Sequence, residues 1–277
     1  MGNAINNVLL DFALPSLVVC LVFLVLLKFV APPAVRTVFK REVRSYFMSP
    51  IAYVCVVTFL LVSNGISFWF GGVLERGEAD LYMSYFQYLP WFFIVVAPAV
   101  GMRLWSEEQR LGTMELMLTM PIAPWQAILG KYLAASVVLF SMLVLSFPIV
   151  LTVNYLGSPD NGVMLSGFVA SLLVALSFLS ITSLVSAFTR SQIVALLISI
   201  GLCLFVWLVG LQPVSDSLLK VFPSMPWISS FVSGLSVLTH FNELSKGILV
   251  SRDLIFFLSF IGFCLFGTAV GLRLNRS

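Results

Sequence analysis

Long apolar runs dominate this sequence and limit what it can fold into more than any other feature. A membrane-spanning helix needs about 20 consecutive apolar residues. Seven runs approach that length, at residues 9–30, 51–70, 88–104, 125–153, 163–188, 192–211 and 253–272. Only 10% of the 277 residues are charged, whereas soluble domains are about 25% charged. The chain cannot cover itself with polar surface, so its solvent must be largely lipid.

The pattern inside these runs distinguishes helices from barrel strands. Only helices and closed barrels satisfy the backbone hydrogen bonds within a bilayer, and barrel strands alternate apolar and polar residues. The runs here lack that alternation, so the predicted fold is an all-α polytopic membrane protein with six or seven spans. The weakest run is 88–104, because Pro90 and Pro98 interrupt it and Arg103 follows at once.

The first run needs a separate interpretation because it lies at the amino terminus. Residues 1–34 lack a basic leading region, and Lys28 and a Pro32-Pro33 pair follow the apolar stretch in place of a small-residue cleavage site. This pattern argues against a signal peptide. We expect an extra amino-terminal transmembrane helix; an upstream extension of the reading frame is the alternative.

The basic residues are distributed unequally between the two sides of the proposed spans. With residues 31–50 in the cytoplasm, eleven of the 15 basic residues fall inside and four outside. The inside set is Lys28, Arg36, Lys40, Arg41, Arg44, Arg103, Arg110, Lys131, Arg190, Arg273 and Arg276, and the outside set is Arg76, Lys220, Lys246 and Arg252. The positive-inside rule then predicts a cytoplasmic carboxyl terminus. No basic patch of the kind that binds nucleic acid is present.

Residues 35–48 have the pattern of an amphipathic helix lying in the membrane interface. Arg36, Lys40 and Arg44 recur every four residues on one face. The other face is apolar and consists of Val35, Val38, Phe39, Val43, Tyr46 and Phe47. Such a helix can anchor the chain beside anionic lipid headgroups, or it can provide a docking surface for a partner.

The most informative polar segment is residues 105–121, between two spans on the predicted cytoplasmic side. Ser106 and Gln109 fit a capping box, which predicts that a helix begins there, and Pro121 marks its end. Gly112 would allow a bend between a charged face and a methionine-rich face. The segment is either a solvated loop helix or an element that seats in another protein, since methionine surfaces adapt to partners.

Three blocks of sequence in order resemble the permease subunit of an ABC-2-type exporter, and most closely its gliding-motility (GldF-like) branch. They read FKREVRSYFMSPIAYV from Phe39, WSEEQRLGTMELMLTMPI from Trp105, and LTHFNELSKGILVSRDLIFFLSFIGFCLF from Leu238. The resemblance covers the chain from about Phe39 to its carboxyl terminus. It implies a permease domain over residues 35–277, with six family helices following the extra helix of residues 1–34.

The resemblance also implies an internal organisation for that domain. Residues 35–48 would be the interfacial helix, 105–121 the coupling segment and 212–252 an outer re-entrant region. The contact with a separate ATPase subunit would then involve six residues of the coupling segment. These are Glu107, Glu108, Arg110, Gly112, Thr113 and Glu115.

The energy source must lie on another chain if the resemblance holds. The sequence contains no phosphate-binding loop of the GxxxxGK[ST] kind. We therefore expect this chain to bind no cofactor, with ATP and Mg²⁺ held by a P-loop ATPase subunit. The resemblance implies that a second copy of this chain or a related permease completes the channel, in the bacterial inner (plasma) membrane.

Other polar residues offer weaker signals. His240 and Glu243 lie three residues apart and could share a helical face, but one histidine and one carboxylate are too few for a closed metal site. We expect a hydrogen-bonded pair and no metal. Lys131 lies near the start of its span, and we expect its ammonium to reach the headgroups. Ser177, Ser180, Ser183 and Ser186 either line a pathway or pack helices; packing is the usual role of such residues.

Two other classes of function remain as alternatives to the exporter permease. An intramembrane enzyme needs a nucleophile and a base facing a cavity, yet the sole histidine lies outside the spans, with no HxxxD or GxSxG pattern near it. A scaffold or assembly subunit would use the same helices without passing a substrate.

Overall fold

The computed structural model describes residues 32–69, 81–113, 123–157, 159–211, 213–214, 234, 236–248 and 250–274. Within these residues the regular elements are all helical. The helices are α1 (Pro33–Met48), α2 (Pro50–Trp69), α3 (Leu89–Gly101), α4 (Arg103–Leu111), α5 (Pro124–Leu145), α6 (Pro148–Leu156), α7 (Asn161–Phe188), α8 (Gln192–Leu208), α9 (Val237–Ser245) and α10 (Ser251–Leu274), with a π-helical turn at Tyr82–Phe86 before α3. The predicted all-α fold is confirmed.

Five helices of the described part are long and apolar enough to cross a membrane. They are Pro50–Trp69, Ser84–Leu111, Pro124–Leu156, Asn161–Phe188 and Ser251–Leu274. The apolar α8 is shorter, at 17 residues. The protein is therefore a multi-pass membrane protein, and these six helices correspond to the six apolar runs predicted after residue 50.

Two of the spans consist of consecutive helices. At Met102, between α3 and α4, the backbone keeps helical dihedral angles (φ −55°, ψ −31°), so α4 extends the same span. The predicted weak run at 88–104 therefore belongs to a 28-residue helix. Pro90 lies in the first turn of α3, and Pro98 lies within α3. Spanning helices tolerate proline there because neighbouring helices and local adjustments satisfy the freed backbone groups.

Helix α7 is the centre of the bundle. It packs against α3, α5, α8, α9 and α10, and most of its residues are buried. Its buried hydroxyls donate within the helix, as in Ser171 to the Gly167 carbonyl and Ser177 to the Leu173 carbonyl. The serines at 177, 180, 183 and 186 are thus packing residues in the interior. Close approach also requires small residues, since a Cβ on Gly101 of α3 would lie 2.8 Å from Thr182.

The periphery of the bundle is as apolar as its interior. Leu61 of α2 is 70% exposed, Ile193 of α8 69% and Phe263 of α10 73%. A water-soluble protein rarely exposes such surface over several whole helices, whereas lipid tails solvate it at no cost. Helices α2, α8 and α10 therefore each present one face to lipid.

Helix α1 lies across one end of the bundle and packs on α5. Val35 and Val38 are buried there, and a Cβ on Gly130 of α5 would lie 2.9 Å from the Val38 side chain. The carboxyl ends of α7 and α10 meet at one end of the bundle, because Gly271 packs on the Phe188 ring. This end, which also contains α4, is called the α1 end below.

Several predictions fall on residues that the structure does not describe. The amino-terminal helix predicted for 1–34 lies outside the described residues except for its last three positions. Most of the re-entrant region predicted at 212–252 does as well. Its described part contains α9 and the first residues of α10, and both lie at the end opposite α1, where Gly247 contacts Val163 at the start of α7.

Candidate coupling site

Helix α4 forms the polar end of the second span, and its start differs from the predicted one. Ser106 lies inside the helix, with its hydroxyl donating to the Met102 carbonyl. The predicted capping box is therefore wrong, because the helix enters from the membrane without interruption. Gln109, its other member, instead donates its amide to the Ala187 carbonyl of α7 at 2.6 Å.

Gly112 ends α4. Its backbone is left-handed (φ +69°), a conformation that glycine adopts without a steric penalty. The Thr113 N–H donates to the Glu108 carbonyl at 3.1 Å, and the Gly112 N–H donates to the Gln109 carbonyl at 3.4 Å. This arrangement is typical of a helix carboxyl cap. Gly112 thus terminates the helix, where the sequence had predicted a bend.

Trp105 fixes α4 to the end of α7. Its side chain is fully buried. The indole N–H donates to the Ser183 hydroxyl at 3.3 Å, and the backbone N–H donates to the Ser186 hydroxyl at 3.2 Å. Together with the Gln109 contact, these bonds join α4 to about one turn of the central helix.

Lys131 of α5 connects a second helix to α4. Its ammonium is 2.8 Å from Glu108 Oε1, donates to the Leu104 carbonyl at 2.7 Å, and lies 4.9 Å from the centroid of the Trp105 ring. Its side chain is 4% exposed. The prediction that Lys131 extends to the headgroups is wrong, because inside the protein Glu108 neutralises the ammonium and the Leu104 carbonyl accepts a hydrogen bond from it.

Helix α1 adds two charges to this cluster. Glu42 Oε1 lies 3.7 Å from the Lys131 ammonium, and Arg41 lies 2.8 Å from Glu42 and 3.7 Å from Glu108. The ion cluster of Arg41, Glu42, Glu108 and Lys131 therefore joins α1, α4 and α5. The Arg41 side chain is 57% exposed, so its ion pairs contribute little to stability, whereas the Lys131–Glu108 pair is largely withdrawn from water.

The six predicted coupling residues divide into two groups, with one outside the described part. Glu108 turns inward to Lys131. Glu107, Arg110, Gly112 and Thr113 are exposed. Glu115 lies outside the described residues. The exposed group forms the surface of α4 and its cap that another molecule can reach, and it is called the α4 tip below.

The contacts of several residues of this site were not predicted from the sequence. Trp105, Gln109, Glu42 and Arg41 contact their partners only through tertiary packing. The sequence offered one signal of a buried ion pair, which was Lys131 itself, since a charge several residues inside an apolar run needs a partner. The sequence could not identify that partner, because Glu108 is 23 positions away in another helix.

The interfacial helix meets the bundle at Tyr46. The Tyr46 hydroxyl donates to the Val100 carbonyl at 3.1 Å, and the Arg103 guanidinium lies 4.2 Å from the centroid of its ring. Burial raises the pKa of Tyr46 above its ordinary value, so the hydroxyl keeps its proton and remains a donor. Of the predicted basic face of α1, Lys40 and Arg44 are exposed and Arg36 is half-buried.

At the opposite end of the bundle, His240 has a different partner from the predicted one. Its Nδ1 lies 2.7 Å from Asp253 Oδ1, and its Nε2 lies 3.0 Å from the Gly234 carbonyl. Glu243 instead accepts from Arg252 at 2.8 Å. The predicted His240–Glu243 pair is therefore wrong, because packing of α9 on α10 puts the histidine against the first turn of α10.

No metal site is evident in the part of the chain that can be described. Within it, no group of three histidine, cysteine, aspartate or glutamate side chains is close enough to hold a metal ion. His240 is stacked on Phe256 with ring centroids 4.0 Å apart, and both its nitrogens face acceptor oxygens. With these contacts His240 has a structural role, because its side chain holds α9 against α10.

Comparison with known protein families identifies a match over most of the chain. The sequence profile of a protein family described as "ABC-2 family transporter protein" matches residues 16–274. No curated protein matches the chain. The matched range includes every helix described above, from α1 to α10.

Proposed function

Because the chain belongs to the ABC-2 family of transporter proteins, we propose that it is the permease subunit of an exporter driven by a separate ATPase subunit. The multi-pass helical fold suits a permease. The absence of a GxxxxGK[ST] motif from the sequence supports placing ATP and Mg²⁺ on the partner. A second copy of this chain, or a related permease, would complete the translocation path.

One observation supports the coupling role most directly: the α4 tip is exposed while the body of α4 is fastened to three other helices. Trp105 and Gln109 join it to α7, and Glu108 joins it to α5 and, through the ion cluster, to α1. A displacement applied to the tip by a partner would therefore reach the central helix through hydrogen bonds and a buried ion pair. A flexible loop could not transmit such a displacement.

The energetics favour movement of α4 as a rigid body. Separating a buried ion pair by removing one partner costs about 3–5 kcal/mol, and leaving a buried indole N–H unsatisfied costs about 1–3 kcal/mol. A push on the tip is therefore more readily accommodated by shifting α4 with α7 and α5 than by pulling them apart. Packed helices move in this way in many switching proteins.

The location and the branch of the family are part of the same proposal. The excess of lysine and arginine on the α1 side supports a cytoplasmic α4 tip and carboxyl terminus in a bacterial inner membrane. The likeness of the three sequence blocks to the GldF-like gliding-motility branch supports a role in that branch, whereas the family match extends only to the ABC-2 level.

Gentle purification from the native membrane tests the proposal. The full chain carries a carboxyl-terminal tag, and the proteins that accompany it are identified by mass spectrometry and assayed for ATP hydrolysis. We expect a P-loop ATPase in about stoichiometric amount. A chain that purifies alone, or only with partners that lack ATPase activity, would contradict the permease assignment.

A further inference from the structure

The side chain of His240, the single histidine of the chain, lies between two oxygen acceptors at the end opposite α1. Its Nδ1 is 2.7 Å from Asp253 Oδ1, and its Nε2 is 3.0 Å from the Gly234 carbonyl oxygen. A backbone carbonyl only accepts hydrogen bonds, so Nε2 must carry a proton. In a neutral imidazole the other nitrogen is then a bare acceptor. Nδ1 can therefore bond to Asp253 only if the pair holds one further proton.

The surroundings of Asp253 indicate where that further proton lies. The Asp253 side chain is fully buried, and its second oxygen, Oδ2, has no hydrogen-bond partner among the described residues. A proton on Oδ2 would form an O–H group without an acceptor, which is costly in a buried site. The proton therefore lies between Nδ1 and Oδ1.

Two further contacts favour an imidazolium paired with a carboxylate. Asp253 lies in the first turn of α10, where the helix dipole stabilises a negative charge. The His240 ring is stacked on the Phe256 ring, with 4.0 Å between the centroids, and the face of an aromatic ring stabilises a cation. Both partners thus lie where their charged forms are supported.

Arg252 is the nearest other charge, and it is mainly engaged with a different carboxylate. Its Nε lies 3.5 Å from Asp253 Oδ1, whereas its guanidinium is 2.8 Å from Glu243. The Arg252 side chain is 66% exposed, so water screens its charge. His240 is therefore the buried partner of the Asp253 carboxylate.

The other helices packed against α9 bring no charge to the ring. Neither α7 nor α8 contains a charged residue within its range. Asp160, just before α7, accepts a hydrogen bond from the Gly162 N–H at 2.8 Å. Lys246, just after α9, lies 5.6 Å from the centroid of the Tyr82 ring. The charge balance of the site thus depends on the imidazole and the carboxylate.

We propose that the His240–Asp253 pair is a proton-binding site and that the bound proton holds α9 against α10. When the proton leaves Nδ1 for solvent, the nitrogen lone pair faces the Asp253 carboxylate, and the contact changes from attractive to repulsive. The Arg252–Glu243 pair also links the two helices, but exposed pairs contribute little. The proposal does not rest on the transport function.

The direction of the pH dependence follows from the number of protons. The paired state binds one proton more than a separated neutral imidazole and carboxylate do. Raising the pH should therefore weaken the junction between α9 and α10. Histidine side chains change charge between about pH 5 and 8, so this is the range to examine.

Nitrogen NMR of the full chain labelled with ¹⁵N-histidine tests the site directly. The single histidine gives one imidazole signal set, provided that the affinity tag contains no histidine. We expect Asp253→Asn to weaken proton binding at His240 by about tenfold, because a neutral amide replaces the paired carboxylate. Glu243→Gln removes a nearby carboxylate that does not bond to the ring, and it should leave proton binding nearly unchanged. Equal proton binding in the two variants would overturn the proposal.

A non-titrating variant provides an independent measurement. His240→Gln keeps a side-chain N–H donor but cannot bind the proton. The thermal unfolding temperature of wild type should fall relative to that of His240→Gln as the pH rises from about 5 to 8. This comparison decides the matter if Asp253→Asn does not fold. Parallel pH curves for wild type and His240→Gln would contradict a bound proton that stabilises the junction.

Discussion

Lys131 shows how the bundle holds a charge at the border of an apolar span. The ammonium has three neighbours, the Glu108 carboxylate, the Leu104 carbonyl and the Trp105 ring. Each belongs to the second span or its polar end. The position of α4 relative to α5 is therefore determined by one side chain, which makes that side chain a sensitive point for substitution.

Replacing Lys131 with methionine should destabilise the protein strongly. The change keeps most of the apolar stem but leaves the largely buried Glu108 with only the longer contact to the exposed Arg41, a loss of about 3 kcal/mol. The double variant Lys131→Met with Glu108→Gln should recover part of the lost stability, because it no longer buries an unpaired carboxylate. The free energy of unfolding, measured by detergent titration, gives the result, and Lys40→Met on the exposed face of α1 is the control. A single variant as stable as wild type would contradict the buried ion pair.

The His240–Asp253 pair permits an analogous comparison within one end of the bundle. Asp253 is fully buried, whereas the Arg252–Glu243 pair beside it is largely exposed. Asp253→Asn should therefore lower the thermal unfolding temperature by several degrees, as a loss of about 1–3 kcal/mol implies. Glu243→Gln should change it little, because exposed pairs contribute about 0–1 kcal/mol. Equal shifts of the unfolding temperature in the two variants would show that the buried pair contributes no more to stability than the exposed pair.

At the scale of elements, α4 has two surfaces that differ in burial. Its inner face contacts α7 and α5, and its tip, with Glu107 and Arg110, is free to meet a partner. Substitution at Glu108 disturbs both, since it removes the partner of Lys131. Arg110 is therefore the cleaner probe of coupling.

If the proposed ATPase subunit binds the α4 tip, Arg110→Gln should weaken its association and lower transport-linked ATP hydrolysis without altering the fold. Interface residues that matter cost more than about 1 kcal/mol, or roughly fivefold in affinity. Co-purified ATPase per permease and thermal unfolding are the two measurements. Arg190→Gln, at another exposed arginine of the α1 end, is the matched control. Unchanged association and hydrolysis in the Arg110 variant would argue against the tip as the contact.

The sequence predicted the existence of these elements better than their ends. The charged residues after the second span were enough to locate a polar helix there, but Gly112, which was expected to bend that helix, ends it. The start was wrong, because Ser106 and Gln109 match a capping box in spacing while the helix already runs through them from the membrane. Local pattern cannot reveal this, since the bonds that Ser106 and Gln109 form depend on α3 before them and α7 beside them.

At the scale of the whole molecule, the spans were predictable because lipid imposes a length and an apolar composition on each one. The pairing of helices was not. Lys131 with Glu108 and His240 with Asp253 join residues of different helices, and several carboxylates were equally plausible partners by charge alone. Lipid-facing and buried positions were also indistinguishable, because both consist of leucine, phenylalanine and valine.

A pair of phenylalanines on α10 tests the division between the lipid-facing and buried surfaces. Phe257 is fully buried and Phe263 is 73% exposed. Phe257→Ala should cost about 3–5 kcal/mol through the cavity it leaves, whereas Phe263→Ala should be close to neutral because lipid replaces the lost contacts. The free energy of unfolding in lipid–detergent micelles distinguishes them. A large loss at Phe263 would instead indicate a protein neighbour on that face.

The inward-bonding hydroxyls of α7 have a consequence for motion. Ser171, Ser177, Ser180 and Thr182 each donate to a carbonyl of their own helix, so these donors need no acceptor on a neighbouring helix. By contrast, Trp105 and Gln109 of α4 donate hydrogen bonds to the last turn of α7. A small shift of a neighbouring helix would therefore leave these four hydroxyl bonds intact, whereas a shift of α4 away from α7 would break the bonds of Trp105 and Gln109.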